Sequence, residues 1–149
     1  MPANHRVGWL GTGRMGAAMA ARLISDGAAV TVWNRTASKT QPLVEQGADR
    51  AEKISDLGQC NVVFTSVSSS PDLLAVTLGP DGLFDAQPAP SIVVDTSTVS
   101  AEAAAEVRAE ARFRGCRNRG PETSNRRPAA TALRRAPRCR RSPAGRATG

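Results

Sequence analysis

Residues 7–16 read Val-Gly-Trp-Leu-Gly-Thr-Gly-Arg-Met-Gly, an apolar strand-like run that passes into three glycines with the spacing G-x-G-x-x-G. In a loop that binds a dinucleotide, each glycine has a physical reason. Gly11 permits the tight turn off the strand, and Gly13, which has no Cβ, lets a pyrophosphate approach the backbone. Gly16 lets the next helix pack closely, and free N–H groups at its start would hold the phosphates. The loop predicts these ligand contacts: Gly11, Thr12, Gly13, Arg14, Met15 and Gly16.

The sequence after this loop has the context that the motif requires. Residues 15–24 are rich in alanine and methionine at helical spacing, and Asp26-Gly27 provides a helix stop. Residues 29–33, Ala-Val-Thr-Val-Trp, read as a second strand. This βαβ unit of about 30 residues predicts a dinucleotide site. The alternative is a glycine turn between two core elements, without a ligand.

The residues after the second predicted strand bear on the choice of cofactor. An acidic residue there would accept hydrogen bonds from the ribose 2′-OH of NAD, but the chain has Asn34, Arg35 and Thr36, with Lys39 close behind. Arg35 could pair with a 2′-phosphate, and Thr36 could donate a hydroxyl hydrogen bond. We therefore favour NADP over NAD, although Asn34 could accept a bond from the ribose. An ordinary polar turn in which Thr36 caps the next helix is the alternative.

Apolar strands continue to alternate with helices further along the chain. This alternation predicts an α/β fold with a Rossmann-type, doubly wound parallel sheet, incomplete in this chain. The expected strands lie at 62–64 and 92–94, and the expected helices at 37–46, 71–78 and 100–112.

Charge divides the chain into two parts. The formal net charge is +7, but residues 113–149 contain eleven of the twenty basic residues, all arginine, and one acid, Glu122. We predict that residues 1–112 form one NAD(P)-binding domain. We expect residues 113–149 to be a disordered Arg/Pro-rich tail, because they have too few large apolar side chains to build a core.

Several other classes of protein do not fit residues 1–112. They contain no apolar run long enough for a membrane span and no signal-peptide pattern, so a cytoplasmic location is expected. The three cysteines lack metal-ligand spacing, so no metal site is predicted. Cys60 precedes an apolar strand and is interpreted as a buried, unreactive thiol.

Three segments together resemble the β-hydroxyacid dehydrogenases, the family with 3-hydroxyisobutyrate dehydrogenase, tartronate semialdehyde reductase and the cofactor domain of 6-phosphogluconate dehydrogenase. They are Gly-Trp-Leu-Gly-Thr-Gly-Arg-Met-Gly-Ala-Ala-Met-Ala (8–20), Val-Trp-Asn-Arg-Thr (32–36) and Val-Asp-Thr-Ser-Thr-Val-Ser (94–100). The resemblance covers about residues 5–112. It implies hydride transfer between a nicotinamide cofactor and a small β-hydroxyacid or its semialdehyde, in a homo-oligomeric enzyme.

The resemblance also implies further cofactor contacts. The family's loop near the nicotinamide ribose falls on Val67 and Ser68, where the family more often has Leu-Pro. Thr98 matches a threonine at the nicotinamide end; its alternative role is to satisfy local backbone groups at a strand end. An asparagine on the family's next helix falls on Asp72, whose charge would be less welcome beside a phosphate.

The sequence departs from the family after Arg112. The family's Asp-Ala-Pro-Val-Ser-Gly segment and its helical domain with a catalytic lysine are not recognisable, so no catalytic residue is predicted. Residues 113–149 have three interpretations: a frameshifted translation of GC-rich DNA, a disordered linker, or a basic tail for nucleic acid. Reading back-translated codons 116–120 one base later permits Val-Glu-Ile-Val-Asp, a strand ending in Asp as in the family, which favours the frameshift.

These observations predict that the chain is the cofactor-binding portion of an oxidoreductase, either truncated or frameshifted. We expect it to be inactive alone and not to form the family's oligomer. One alternative is a non-catalytic dinucleotide-binding module whose tail contacts nucleic acid, although aromatic stacking residues are missing from that tail. Another is a truncated product without function. The substrate cannot be identified from the sequence.

Overall fold

The computed structural model describes residues 5–115 and 117–119. In this part of the chain, six parallel strands form one sheet with the order β3-β2-β1-β4-β5-β6. The strands are β1 (Arg6–Leu10), β2 (Ala29–Trp33), β3 (Asp49–Arg50), β4 (Val62–Thr65), β5 (Ile92–Asp95) and β6 (Arg117–Arg119). The α-helices are α1 (Arg14–Ser25), α2 (Gln41–Val44), α3 (Ser70–Leu78) and α4 (Ala101–Phe113); 3₁₀ helices span Ala37–Thr40, Ile54–Gln59 and Leu83–Asp85.

Strand β1 lies in the middle of the sheet, and the chain winds away from it in both directions. Val7 pairs with Val30 of β2 on one side and with Val62 of β4 on the other. Because right-handed crossovers in opposite directions place their helices on opposite faces, α1 covers one face and α3 the other. The predicted Rossmann-type, doubly wound parallel sheet is confirmed.

Each face of the sheet has its own hydrophobic cluster, because neighbouring side chains on a strand point to opposite faces. Trp9 packs with Ala20 of α1 and Val32 of β2 on one face. Leu10 belongs to the other cluster, whose remaining members include Val63, Leu73, Phe84, Val93 and Val107. Cys60 lies in this second cluster with 4% of its surface exposed, which confirms the buried thiol. Burial raises the pKa of the Cys60 thiol.

One predicted helix differs from the structure. The single helix expected at 37–46 is instead a 3₁₀ helix, Ala37–Thr40, followed by the short α2. Pro42 explains the change, because proline has no N–H to donate to a carbonyl in the preceding turn. No helix in the described residues is long and apolar enough to cross a membrane.

The sheet also extends beyond residue 112, where the sequence analysis placed the end of the domain. Helix α4 ends at Phe113, and residues 117–119 then pair with residues 92–94 of β5. A parallel ladder is formed by backbone groups, so it can accept a segment that shows no apolar alternation. The expected disorder of the rest of the tail, residues 120–149, lies outside the described residues.

Candidate dinucleotide-binding site

The carboxyl ends of β1, β2 and β4 open into one cleft. It lies where the crossovers diverge to opposite faces, the place at which open α/β sheets bind their ligands. Seven of the predicted site residues line it: Gly11, Gly13, Asn34, Arg35, Thr36, Val67 and Ser68. Its other lining residues are Leu10, Trp33, Lys39, Ser66, Asp72 and Val76.

The conformation of the loop after β1 accounts for its glycines. Gly11 has a φ of +98°, and a Cβ there would collide with the Ser66 carbonyl. A Cβ on Gly16 would collide with the Gly11 carbonyl and lie 2.9 Å from the Trp9 indole nitrogen. The predicted tight turn and close helix packing are therefore present. A Cβ on Gly13 would meet no atom within 4 Å, so this glycine leaves open space beside the backbone.

The start of α1 presents backbone donors without acceptors. Gly13 occupies the N-cap, has no side chain to cap the helix, and accepts the first helical hydrogen bond from Ala17 N–H at 2.8 Å. Within the described part of the chain, the amides of residues 14–16 have no backbone or side-chain acceptor. The first turn contains no acidic residue. These donors and the positive end of the helix dipole suit a phosphate group.

Trp9 holds the loop in place, a role that the sequence analysis missed. Its indole N–H donates to the Gly11 carbonyl at 3.0 Å, and its ring stacks on Phe64 with centroids 5.0 Å apart. A buried tryptophan N–H generally requires an acceptor. The tryptophan two residues before Gly11 could therefore have indicated this contact in the sequence.

The side chain of Asn34 connects the two loops of the cleft. Its Oδ1 accepts from Thr12 N–H at 2.9 Å, and its Nδ2 donates to the Thr36 carbonyl at 3.0 Å. The Thr12 hydroxyl donates to the Lys39 carbonyl at 3.2 Å, and Thr12 is buried. The structure thus gives Asn34 and Thr12 internal bonds, whereas the sequence analysis assigned both to the ligand.

Three polar side chains at the end of β2 remain available. Thr36 occupies the N-cap of the 3₁₀ helix Ala37–Thr40, but its hydroxyl makes no capping hydrogen bond; the capping alternative for Thr36 is wrong. The Arg35 side chain is 83% exposed and forms an ion pair with Asp72 at 3.2 Å. Lys39 lines the same cleft and adds a second positive charge. It was not among the predicted cofactor contacts, although its position four residues after Arg35 could have indicated it.

On the opposite side of the cleft, hydroxyl groups and a buried carboxylate fix the backbone. Asp95, 8% exposed, accepts from the Thr65 hydroxyl at 2.8 Å and from Ser97 N–H at 3.0 Å. Ser97 Oγ accepts from Val67 N–H at 3.0 Å. Thr98 is exposed, is absent from the cleft lining, and has no side-chain hydrogen bond within residues 5–115. The alternative in which its hydroxyl satisfies local backbone groups is not observed there.

This fold and cleft define a Rossmann-type domain with a dinucleotide-binding cleft. Residues 6–120 match the sequence model of a protein family, described as the NAD binding domain of 6-phosphogluconate dehydrogenase. The chain therefore belongs to this family, which confirms the resemblance and extends it a few residues beyond 112.

Named relatives agree with this assignment. Over 116 residues the chain is 37% identical to "Probable 3-hydroxyisobutyrate dehydrogenase-like 2, mitochondrial" of Arabidopsis thaliana, covering 77% of this chain and 39% of that protein. The solved structure of "Psf3 in complex with NADP+ and 2-OPP" is 34% identical, with a TM-score of 0.69, covering 75% of this chain and 40% of the other. The 3-hydroxyisobutyrate dehydrogenase of Mycobacterium tuberculosis, solved with L-serine, is 25% identical with a TM-score of 0.69, covering 76% and 38%. The chain thus spans about 39% of the length of the first relative.

Proposed function

We propose that residues 5–119 bind NADP and form the cofactor-binding part of an oxidoreductase for a small β-hydroxyacid or its semialdehyde. The observation that carries the proposal is the cleft itself. It joins a helix start with unbonded amides to a strand end that has Arg35, Thr36 and Lys39 and no acidic residue.

The residues of the cleft fit the two ends of such a cofactor. The amides of residues 14–16 and the open side of Gly13 suit the pyrophosphate. Arg35 and Thr36 suit a phosphate on the adenosine ribose, because a guanidinium pairs with phosphate through two parallel N–H bonds. The Asn34 amide already bonds to Thr12 and Thr36, which leaves less of it for a ribose hydroxyl of NAD and supports the preference for NADP.

At the other end of the cofactor, the assignments come from the family resemblance. Val67 and Ser68 would lie beside the nicotinamide ribose, and Thr98 nearest the reacting ring. A bound nicotinamide would donate or accept the hydride, and these residues would orient its ring. The Ser97 hydroxyl and the Asp95 carboxylate would keep the backbone of this region in place.

We assign no catalytic residue within residues 5–119. Hydride transfer to a carbonyl needs a positioned proton donor. The charged side chains that line the cleft, Arg35, Lys39 and Asp72, belong to the end where we place the adenosine ribose. We therefore expect the 149-residue polypeptide to bind cofactor, in the cytoplasm, without turnover. Sequencing the coding DNA across codons 105–125 would decide among the interpretations of residues 113–149.

Titration of the purified chain with NADPH and NADH tests the proposal. We expect NADPH to bind more tightly, and Arg35→Ala to weaken NADPH more than NADH. Arg22→Ala is the matched control, because Arg22 is an exposed arginine of α1 that pairs with Asp26 and does not line the cleft. Absence of binding of either nucleotide would refute the proposal, and equal losses for both nucleotides in Arg35→Ala would refute the NADP preference.

A further inference from the structure

The proposed function leaves one charged group of the cleft without a role. Asp72 lies in the first turn of α3, and within the described residues it is the one carboxylate among the side chains that line the cleft. One of its oxygens, Oδ1, accepts from Arg35 Nη1 at 3.2 Å. The bond joins the end of β2 to the start of α3, on opposite sides of the cleft.

The two partners of this bond differ in how firmly they are held. Asp72 Oδ2 accepts from the Ser69 hydroxyl at 2.7 Å, and Ser69 Oγ in turn accepts from Asp72 N–H as the N-cap of α3. The Asp72 side chain is 29% exposed, whereas that of Arg35 is 83% exposed. The carboxylate is thus fixed by its own helix start, and the guanidinium is the partner that can turn away.

We propose that Asp72 is a specificity-determining residue that competes with the 2′-phosphate of NADP for Arg35. This inference rests on the proposed NADP site. Carboxylate and phosphate oxygens take the same N–H donors of a guanidinium, so a nucleotide with a 2′-phosphate must separate Arg35 from Asp72. A nucleotide with a free 2′-hydroxyl has no need to do so. Asp72 therefore weakens NADP binding and leaves NAD binding nearly unchanged. It thereby reduces the preference of the site for NADP over NAD.

The variant Asp72→Asn tests this competition, because it removes the charge and keeps an oxygen to accept from Ser69. We expect the Kd for NADPH to fall about 1.5- to fivefold, the fold-change that corresponds to an exposed ion pair, and the Kd for NADH to change by less than the Kd for NADPH. Asp26→Asn is the matched control: Asp26 pairs with Arg22 at 3.4 Å on α1, away from the cleft. It should change neither Kd.

The same substitution in an Arg35→Ala background separates competition from direct repulsion. If Asp72 acts through Arg35, Asp72→Asn has no effect on NADPH binding once Arg35 is absent. Persistence of the gain without Arg35, an equal gain for NADH, or weaker NADPH binding in Asp72→Asn would each overturn the inference. The last result would mean that Asp72 orients Arg35 for the phosphate.

These outcomes remain distinct from failure of the proposed function. If the wild-type chain binds neither NADPH nor NADH, both proposals are wrong. If it binds NADPH and Asp72→Asn leaves both Kd values unchanged, the NADP site stands and the competition is refuted.

Discussion

Two loops at the same edge of the sheet are built in opposite ways. The segment of residues 11–16, called the glycine loop, consists of the turn after β1 and the first residues of α1. Its conformation requires glycine at positions 11 and 16, and among the described residues the amides of residues 14–16 have no acceptor. The loop of residues 96–100, the hydroxyl loop, takes its conformation from side chains. Most of its polar groups bond to neighbouring segments, as Thr96 does with the Thr65 carbonyl and Ser97 with Val67 N–H.

This difference indicates which loop can supply donors to a ligand. Backbone amides of the glycine loop keep fixed positions because the turn and the close helix contact leave them no alternative. Most donors and acceptors of the hydroxyl loop bond to the protein itself, so this loop has few left for a ligand and provides a fixed side of the site. Substitutions in the two loops should therefore have different effects on stability and on binding.

The largest effect is expected for Gly11→Ala. The new Cβ collides with the Ser66 carbonyl, and an alanine at a φ of +98° is strained; overpacking and a left-handed conformation together cost about 3 kcal/mol. The free energy of unfolding from urea denaturation measures this. Gly13→Ala is the control, since its Cβ meets open space: it should cost at most about 1 kcal/mol yet weaken nucleotide binding. Equal destabilisation by both variants would contradict the steric account.

At the end of β5, directly before the hydroxyl loop, Asp95→Ala is expected to lower the free energy of unfolding by about 2–3 kcal/mol. The alanine leaves the Thr65 hydroxyl and the Ser97 amide without their shared acceptor. Asp95→Asn retains an oxygen at this position and should cost less than about 1 kcal/mol. Chemical denaturation measures the free energy of unfolding of both variants. If asparagine lowers it as much as alanine does, the lost hydrogen bonds are not the cause of the destabilisation.

Trp9→Phe tests the hydrogen bond between the Trp9 indole and the glycine loop. The phenylalanine can stack on Phe64 but cannot donate to the Gly11 carbonyl, and the lost bond should cost about 1–2 kcal/mol. Because the bond fixes a carbonyl of the loop, we also expect weaker binding of NADPH in a fluorescence titration. Phe64→Leu, which disrupts the stack and keeps the bond, should leave binding unchanged. Equal weakening by the two variants would remove the special role of the indole N–H.

The smallest expected effect is that of Ser97→Ala, about 1 kcal/mol, because the Val67 amide loses its acceptor. Thr98→Ala is the matched control one residue later. Its exposed hydroxyl has no hydrogen bond within residues 5–115, so its effect on stability should stay within about 0.5 kcal/mol. Thermal unfolding of the two variants would distinguish them, and a reversed order would mean that the hydroxyl loop is held in another way.

The glycine loop could be predicted from the sequence because the spacing of its glycines is a local signal for the turn at Gly11 and the close helix packing at Gly16. The structure adds a distant neighbour, since a Cβ on Gly11 would also meet the Ser66 carbonyl after β4. The parallel sheet and its winding followed from short apolar strands that alternate with helices. The division of the helix expected at 37–46 into two short helices could have been anticipated from Pro42.

The contacts between distant segments could not be predicted in the same way. Asn34 meets Thr12 across 22 residues, and Thr65 meets Asp95 across 30. Such bonds depend on the register between strands, which no local pattern specifies. Strand β6 escaped prediction for a related reason: Arg-Asn-Arg has no apolar alternation, and only the neighbouring edge of β5 makes it a strand.

The central place of β1 has a consequence for the synthesis of the chain. Residues 6–10 are synthesised before both of their partners, β2 at residues 29–33 and β4 at residues 62–65. Until residue 65 has been made, one edge of β1 has no partner and remains open to pairing with other chains. The nascent polypeptide can pair both edges of β1 only after β4 has emerged, and β5 and β6 join the sheet later still.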